Sequence, residues 1–273
     1  MKTKGEKTTI GVLGYGNMGR AIVAQLRTIP AFRAKSAIAV YSRKMGDVRA
    51  VQIATSSAQL AGMSRVLFLC IKPQDFYQLK PFSRQETQHL TVISIMAGVS
   101  ISNIRRIFTG ARVVRTMPNL PLQVGQGVIG WYYEQGDVDS KARTLLDNIF
   151  SAFGLSVAVT DERKLDALTA VAGSGPAYVF LFANALMKSA ESLGFDKATA
   201  RRIVLQTIQG SLAFATSQKE VDFDRLIEKV KSKGGTTEVA LHTLGVERFY
   251  MQWEQAIKQA CQRAEEISSY EPR

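Results

Sequence analysis

The chain has 273 residues, 46% of them hydrophobic, which is enough to bury the core of one or two domains. Its formal charge of +12 comes from cations spread along the chain among acidic residues, without interleaved aromatics; that pattern reads as a solvated basic surface, attractive to small anions, rather than a nucleic-acid stripe. The opening MKTKGEKTTI lacks the apolar stretch and small-residue cleavage site of a secretory signal. No run of about 18 apolar residues is read, so the expectation is a cytoplasmic protein without a membrane span.

The first half alternates short β-branched runs with amphipathic stretches. TTIGVLG is the first strand and a helix follows from about Asn17 to Arg27; AIAVYS, RVLFLCIKP, LTVISIMAG and RVVRTM are further strands. Such alternation predicts a mostly parallel sheet with crossover helices, a Rossmann-like α/β domain. The rhythm continues through VGQGVIGWYY, a helix near Asp137 to Phe153, and LSVAVT, and stops at about Thr160. Beyond it, segments 161–171, 176–193, 196–216, 222–231 and 236–269 carry apolar residues three and four apart, the helical pattern. The expected division is residues 1–160, a dinucleotide-binding domain, and 161–273, an all-α substrate-binding and dimerisation domain. The 176–193 helix, AYVFLFANALMKSAESLG, is apolar around most of its circumference and must be covered, by a second copy or by the chain itself. Cys70 and Cys261, like His89 and His242, have no metal-ligand spacing; no metal is expected, and both thiols are expected free and buried.

Gly14-Tyr15-Gly16-Asn17-Met18-Gly19 follows the first strand and opens the first helix. Gly14 permits the tight turn, Gly16 lets backbone approach a pyrophosphate, and Gly19 lets the helix lie close on the strand. The alternative is a purely structural glycine turn. At the end of the second strand, where a protein that prefers NAD usually carries an acidic residue, this chain has Tyr41-Ser42-Arg43-Lys44. A hydroxyl and two cations suit a 2′-phosphate, so NADPH is expected, with NADH second to it; a solvated charged loop is the other reading. Ile71-Lys72-Pro73-Gln74, Met96-Ala97-Gly98 and Arg115-Thr116-Met117-Pro118-Asn119 end the following strands and face the same crevice, unless they merely terminate strands.

Neither histidine lies near these motifs, and there is no Ser-His-Asp constellation. Hydride transfer to a carbonyl normally needs a positioned acid, whereas a protonated cyclic imine already carries the charge that makes its carbon electrophilic. Such a substrate needs positioning and an anchor. SKGGTTEVA, residues 232–240, offers one: Gly234-Gly235 break a helix and Thr236 or Thr237 caps the next, so N–H groups and hydroxyls converge on a carboxylate-sized site. An ordinary helix corner with a Thr cap fits the same spacing.

Taken together, GVLGYGNMGRAI (11–22), FLCIKPQ (68–74), SIMAGVS (94–100), VVRTMPNLPLQVGQGV (113–128), LDALTAVAGSGPAYVFLF (165–182) and KGGTTEVAL (233–241) make the chain resemble the pyrroline-5-carboxylate reductase family over nearly its whole length. The resemblance implies NADPH-dependent reduction of 1-pyrroline-5-carboxylate to L-proline by an interlocked homodimer, with rings of dimers beyond it. It implies that Gly14, Gly16, Asn17 and Met18 cradle the pyrophosphate, and that Ser42 and Arg43, with Lys44 beside them, take the 2′-phosphate. Ser57 would lie beside the cofactor, and Lys72-Pro73 and Ala97-Gly98 would flank the nicotinamide. Thr237 would hydrogen-bond the substrate and relay a proton; Gly234, Gly235 and Thr236 would hold its carboxylate; Ser174 and Glu162 would approach it. Departures from the family pattern are Lys231 and Lys233 before the glycines, where a Pro is common, Asn184 in place of an acidic residue, and Ser57 in place of Asn. The alternatives are a β-hydroxyacid-type oxidoreductase, whose catalytic Lys position is Val179 here, another imine oxidoreductase, and a non-catalytic regulatory homologue on the same scaffold.

Overall fold

In a computed structural model, residues 9–34, 37–43 and 51–269 are described. They form one eight-stranded sheet in the order β3-β2-β1-β4-β5-β6-β7-β8. The strands are β1 (Ile10–Leu13), β2 (Ile38–Tyr41), β3 (Gln52–Ile53), β4 (Val66–Leu69), β5 (Thr91–Ser94), β6 (Arg112–Pro118), β7 (Gly127–Tyr133) and β8 (Gly154–Ala158). β1 through β6 pair in parallel, β7 pairs antiparallel to β6 with Val114 opposite Tyr133, and β8 is parallel to β7. The reversal follows from loop length. Only a short 3-10 turn (Leu120–Val124), closed by Gly125 at φ 69°, joins β6 to β7, and a parallel crossover needs a dozen or more residues.

Helices α1 (Asn17–Leu26), α2 (Ser57–Met63), α3 (Pro73–Phe76), α4 (Arg84–Thr87), α5 (Ile101–Ile107), α6 (Ser140–Ser151) and α7 (Lys164–Leu168) accompany the sheet. After a π turn (Thr169–Gly173) come α8 (Gly175–Ser192), α9 (Lys197–Thr216), α10 (Phe223–Val230), α11 (Thr236–Leu244) and α12 (Val246–Ser269). β1, β4 and β5 are buried at every position, as strands covered on both faces must be. Alternate residues feed two cores. Val12, Val40 and Phe68 pack with Ile22 and Leu26 of α1 and Ile149 and Phe150 of α6. Leu13, Leu67 and Leu69 pack with Leu60, Phe76 and Ile104 from α2, α3 and α5.

Two compact units result: residues 1–174 with 260–273, and residues 175–259. The last strand ends at Ala158, where the sequence rhythm stops, but the sheet unit continues through α7 and the π turn and takes back the end of α12. Three sequence expectations are corrected here. The 236–269 segment is two helices, because Gly245 at φ 61° ends α11 in the left-handed conformation. The run Lys164–Ser192 reaches a mean hydropathy of 1.4, long and apolar enough by length and composition to cross a membrane, where no such run was expected. Cys70 and Cys261 are free but half-buried rather than buried.

Candidate active site

The glycine loop between β1 and α1 assigns each glycine a separate task. Gly14 has φ 98°, and a Cβ there would stand 2.5 Å from the Cys70 carbonyl oxygen. A Cβ on Gly19 would stand 2.2 Å from the carbonyl oxygen of Gly14, so α1 reaches its strand only through glycine. Gly16, by contrast, would meet nothing within 4 Å. It is the N-cap of α1, with no side-chain cap and no acidic residue in the first turn, so no side chain of the cap takes the first-turn N–H groups. A tight turn, a close-packed helix and one open position at an uncapped helix N-terminus fit a dinucleotide pyrophosphate. Asn17 is exposed, whereas the Met18 side chain packs on the core, which leaves Met18 its backbone to offer. Arg20 lies over the Tyr15 ring at 5.5 Å and donates from Nε to the Tyr15 carbonyl at 3.3 Å.

The neighbouring strand ends complete the crevice. Beyond β2, Ser42 is half-buried and Arg43 exposed and ion-paired with Asp75; Lys44 lies outside the described residues. Ser57 opens α2, which is capped by Ser56, whose Oγ accepts from the Gln59 N–H at 3.0 Å. Beyond β4, exposed Lys72 is the N-cap of α3 and Pro73 its first residue. Beyond β5, Ala97 is exposed and Gly98, at φ 72°, lies against the end of α12: a Cβ there would come within 2.1 Å of Ile267 Cγ2. A cavity of about 220 Å³ opens at this loop, lined by Ala97, Gly98, Asp166, Ser174, Arg263 and Ile267 among others.

Beside this cavity lies a network that the sequence does not announce. Arg115, in β6, is 5% exposed. Its Nη1 donates to Glu162 at 3.0 Å, and its Nη2 donates to Asp166 and to Ser268, each at 3.0 Å. The Ser268 hydroxyl donates to Asp166 at 2.7 Å, and the Ile101 N–H donates to Glu162 at 3.1 Å. Glu162, expected near a substrate amine, is thus held by a guanidinium and a helix N-terminus, and Asp166 is the carboxylate that lines the cavity. Thr116 donates to the Ser94 carbonyl at 2.9 Å and Asn119 to that of Ala172 at 3.0 Å, so these polar residues tie strands and turns together. The available signal is Arg115 itself, a cation inside the apolar run RVVRTM, which burial obliges to find carboxylates.

The GGTT turn belongs to the helical unit. Gly234 has φ 71°, and Gly235, not a threonine, is the N-cap of α11; Thr236 and Thr237 are its first two residues. The turn is tight there: a Cβ at Gly235 would stand 2.2 Å from the Ser232 hydroxyl and 3.0 Å from its carbonyl oxygen. The cap offers no side chain, and Glu238 reaches back to accept the Gly234 N–H at 2.7 Å. Thr236 is exposed and Thr237 half-buried. Lys231 is ion-paired with Glu228 at 2.6 Å, which raises its pKa, while Lys233 is exposed.

Residues 162–267 match the family described as pyrroline-5-carboxylate reductase dimerisation, and residues 9–98 match the family described as NADP oxidoreductase coenzyme F420-dependent. The chain is 34% identical to the pyrroline-5-carboxylate reductase of Pseudomonas aeruginosa, covering 95% of this chain and 96% of that protein. It is 31% identical to that of Haemophilus influenzae, with 95% and 97% covered. The crystal structure of Plasmodium falciparum pyrroline carboxylate reductase with NADP bound superposes at a TM-score of 0.86, with 25% identity and 97% and 99% of the two chains covered. With the glycine loop intact and the likeness running through both units, the chain belongs to the pyrroline-5-carboxylate reductase family.

Proposed function

We propose that this chain reduces 1-pyrroline-5-carboxylate to L-proline, the last step of proline biosynthesis, as an oxidoreductase acting on a CH–NH bond with NADPH preferred to NADH. The observation that carries the reading is the match to curated reductases over nearly the full length of both chains. The glycine loop supports the cofactor: backbone N–H groups at Gly16, Asn17 and Met18, past the turn at Gly14, take the pyrophosphate. Ser42 and Arg43, with Lys44, take the 2′-phosphate. Ser57, Lys72-Pro73 and Ala97-Gly98 line the rest.

NADPH, when bound, supplies the hydride. The chain supplies position. Backbone N–H groups of Thr236 and Thr237 hold the substrate carboxylate at the N-terminus of α11, which needs no cationic side chain, while Gly234 and Gly235, whose N–H groups are taken by Glu238 and the Ser232 carbonyl, shape the turn around it. The Thr237 hydroxyl hydrogen-bonds the ring nitrogen and relays a proton there, with Ser174 and Glu162 near it. Because the protonated imine carbon is already electrophilic, the hydride adds without an oxyanion donor, and the C=N bond becomes CH–NH. In this reading residues 1–160 bind the dinucleotide, and residues 161–273 bind substrate and pair two chains through the apolar faces of α8 and its neighbours, with a ring of dimers beyond. The protein works in the cytoplasm, without nucleic acid or membrane.

The test is NADPH oxidation by the purified protein with 1-pyrroline-5-carboxylate, NADH in parallel and a Thr237→Ala variant beside it. Turnover that prefers NADPH and falls about a hundredfold in kcat for the variant is the expected result. A protein that binds NADPH and turns over with neither cofactor refutes the substrate.

A further inference from the structure

β2 and β4 are the two neighbours of β1 in the sheet. Arg43, two residues past β2, and Asp75, in the helix that follows β4, therefore stand on opposite sides of the glycine loop at the carboxyl end of β1. Their side chains nevertheless meet in an ion pair, between a guanidinium that is 65% exposed and a carboxylate that is 31% exposed. The pair reaches across the strand end where a dinucleotide must lie.

We propose that Asp75 is a specificity-determining residue: its carboxylate competes with the cofactor's 2′-phosphate for Arg43 and tempers the preference for NADPH over NADH. The proposal rests on the reading that Arg43 takes the 2′-phosphate. A phosphate within hydrogen-bond reach of Arg43 stands a few ångströms from the Asp75 carboxylate, so it meets a like charge and must share or displace an existing partner. The 2′-hydroxyl of NADH carries no charge and leaves the pair as it is. An exposed ion pair is modest, so the competition is worth about three- to fivefold in affinity.

The experiment measures dissociation constants of NADPH, NADH and 2′,5′-ADP by calorimetry, without turnover, for the native protein, Asp75→Asn, Arg43→Ala and the double variant. Asp75→Asn is expected to tighten NADPH and 2′,5′-ADP about three- to fivefold while NADH stays put, and to lose most of that effect once Arg43 is alanine, where only the like-charge repulsion is left. Asp75→Asn that weakens NADPH, that shifts both dinucleotides alike, or that retains its full effect in the Arg43→Ala background overturns the proposal. Arg43→Ala that leaves the NADPH to NADH ratio unchanged fails earlier, at the reading of Arg43 itself, and is thereby told apart.

Discussion

The sheet unit and the helical unit start from similarly apolar sequence and dispose of it differently. In the sheet unit the large side chains end inside: Phe68, Phe76, Phe108, Trp131, Phe150 and Phe153 are all fully buried. In the helical unit α8 buries no residue, and Phe180, Phe182, Phe214, Phe249 and Trp253 stay roughly half exposed. Phe249 and Trp253 do stack, with centroids 5.5 Å apart and Tyr178 edge-on to Trp253, but such a cluster covers one side only. A sheet has two faces, and helices from the same chain cover both. A helix apolar around its girth has more surface to hide than its own neighbours reach, and the proposed pairing of two chains supplies the rest.

The largest expected effect tests that difference directly. Leu181 on α8 is 66% exposed in the single chain. Were it to remain so, Leu181→Glu would change stability by less than about 0.5 kcal/mol. Covered by a second chain, each copy loses about 2 kcal/mol of apolar burial and gains a buried charge, so the assembly falls apart. Sedimentation velocity with urea unfolding reads both quantities. A variant that keeps native mass and native stability breaks the comparison, because the helical unit is then stable with its apolar faces in water.

The next effect belongs to the sheet unit and its hold on the end of α12. Arg115→Met strands Asp166, itself 5% exposed, without its cation. Breaking a buried pair from one side costs about 3–5 kcal/mol, whereas Arg115→Met with Asp166→Leu is expected to recover much of it. Urea unfolding measures both, and amide exchange over residues 260–269 is expected to quicken in the single variant, since Ser268 loses a partner. A single variant as stable as the native protein removes the network from the account of what ties the chain's end to the sheet.

How much of this was legible follows from how local each cause is. Every strand of four residues or more lies in a short apolar stretch with at least one β-branched residue, while β3, at two residues, is too short to alternate. Helices α2 to α5 have four to seven residues, too few for a helical period; serines cap α2, α4 and α5, as Ser83 with Glu86 does for α4, and Pro73 opens α3. The glycine loop is legible because turn, close approach and open position are each a demand on one residue's own backbone. The Arg115 network is not, because its partners Asp166 and Ser268 lie 51 and 153 residues away and meet it only after folding. At the GGTT turn the chemistry was readable and the cap was not: threonine has the higher cap preference, yet the helix starts one residue earlier, with Gly235 as its N-cap.

The smallest effect compares the two units by the same chemistry in each. Asp139 caps α6 in the sheet unit, accepting the Ala142 N–H, and Asp196 caps α9 in the helical unit, accepting from Thr199 and Ala198. Hydrogen bonds to the carboxylate, from Ala142 in one case and Thr199 in the other, hold both pKa values below the ordinary aspartate range. A depressed folded pKa means that each cap stabilises above the unfolded value and that this contribution is lost as pH falls through the folded one. Asparagine caps almost as well and does not titrate, so Asp139→Asn and Asp196→Asn are each expected to match the native protein near neutrality and to flatten its acid limb. The two tryptophans serve as reporters, since Trp131 sits in the sheet unit and Trp253 in the helical one. Fluorescence-detected acid unfolding in which Asp139→Asn moves mainly the Trp131 transition, and Asp196→Asn mainly that of Trp253, makes the units separate in folding as they are in burial. If either substitution moves both transitions equally, the difference in burial is one of packing alone, and the shared helix α12 makes a single cooperative structure of both units.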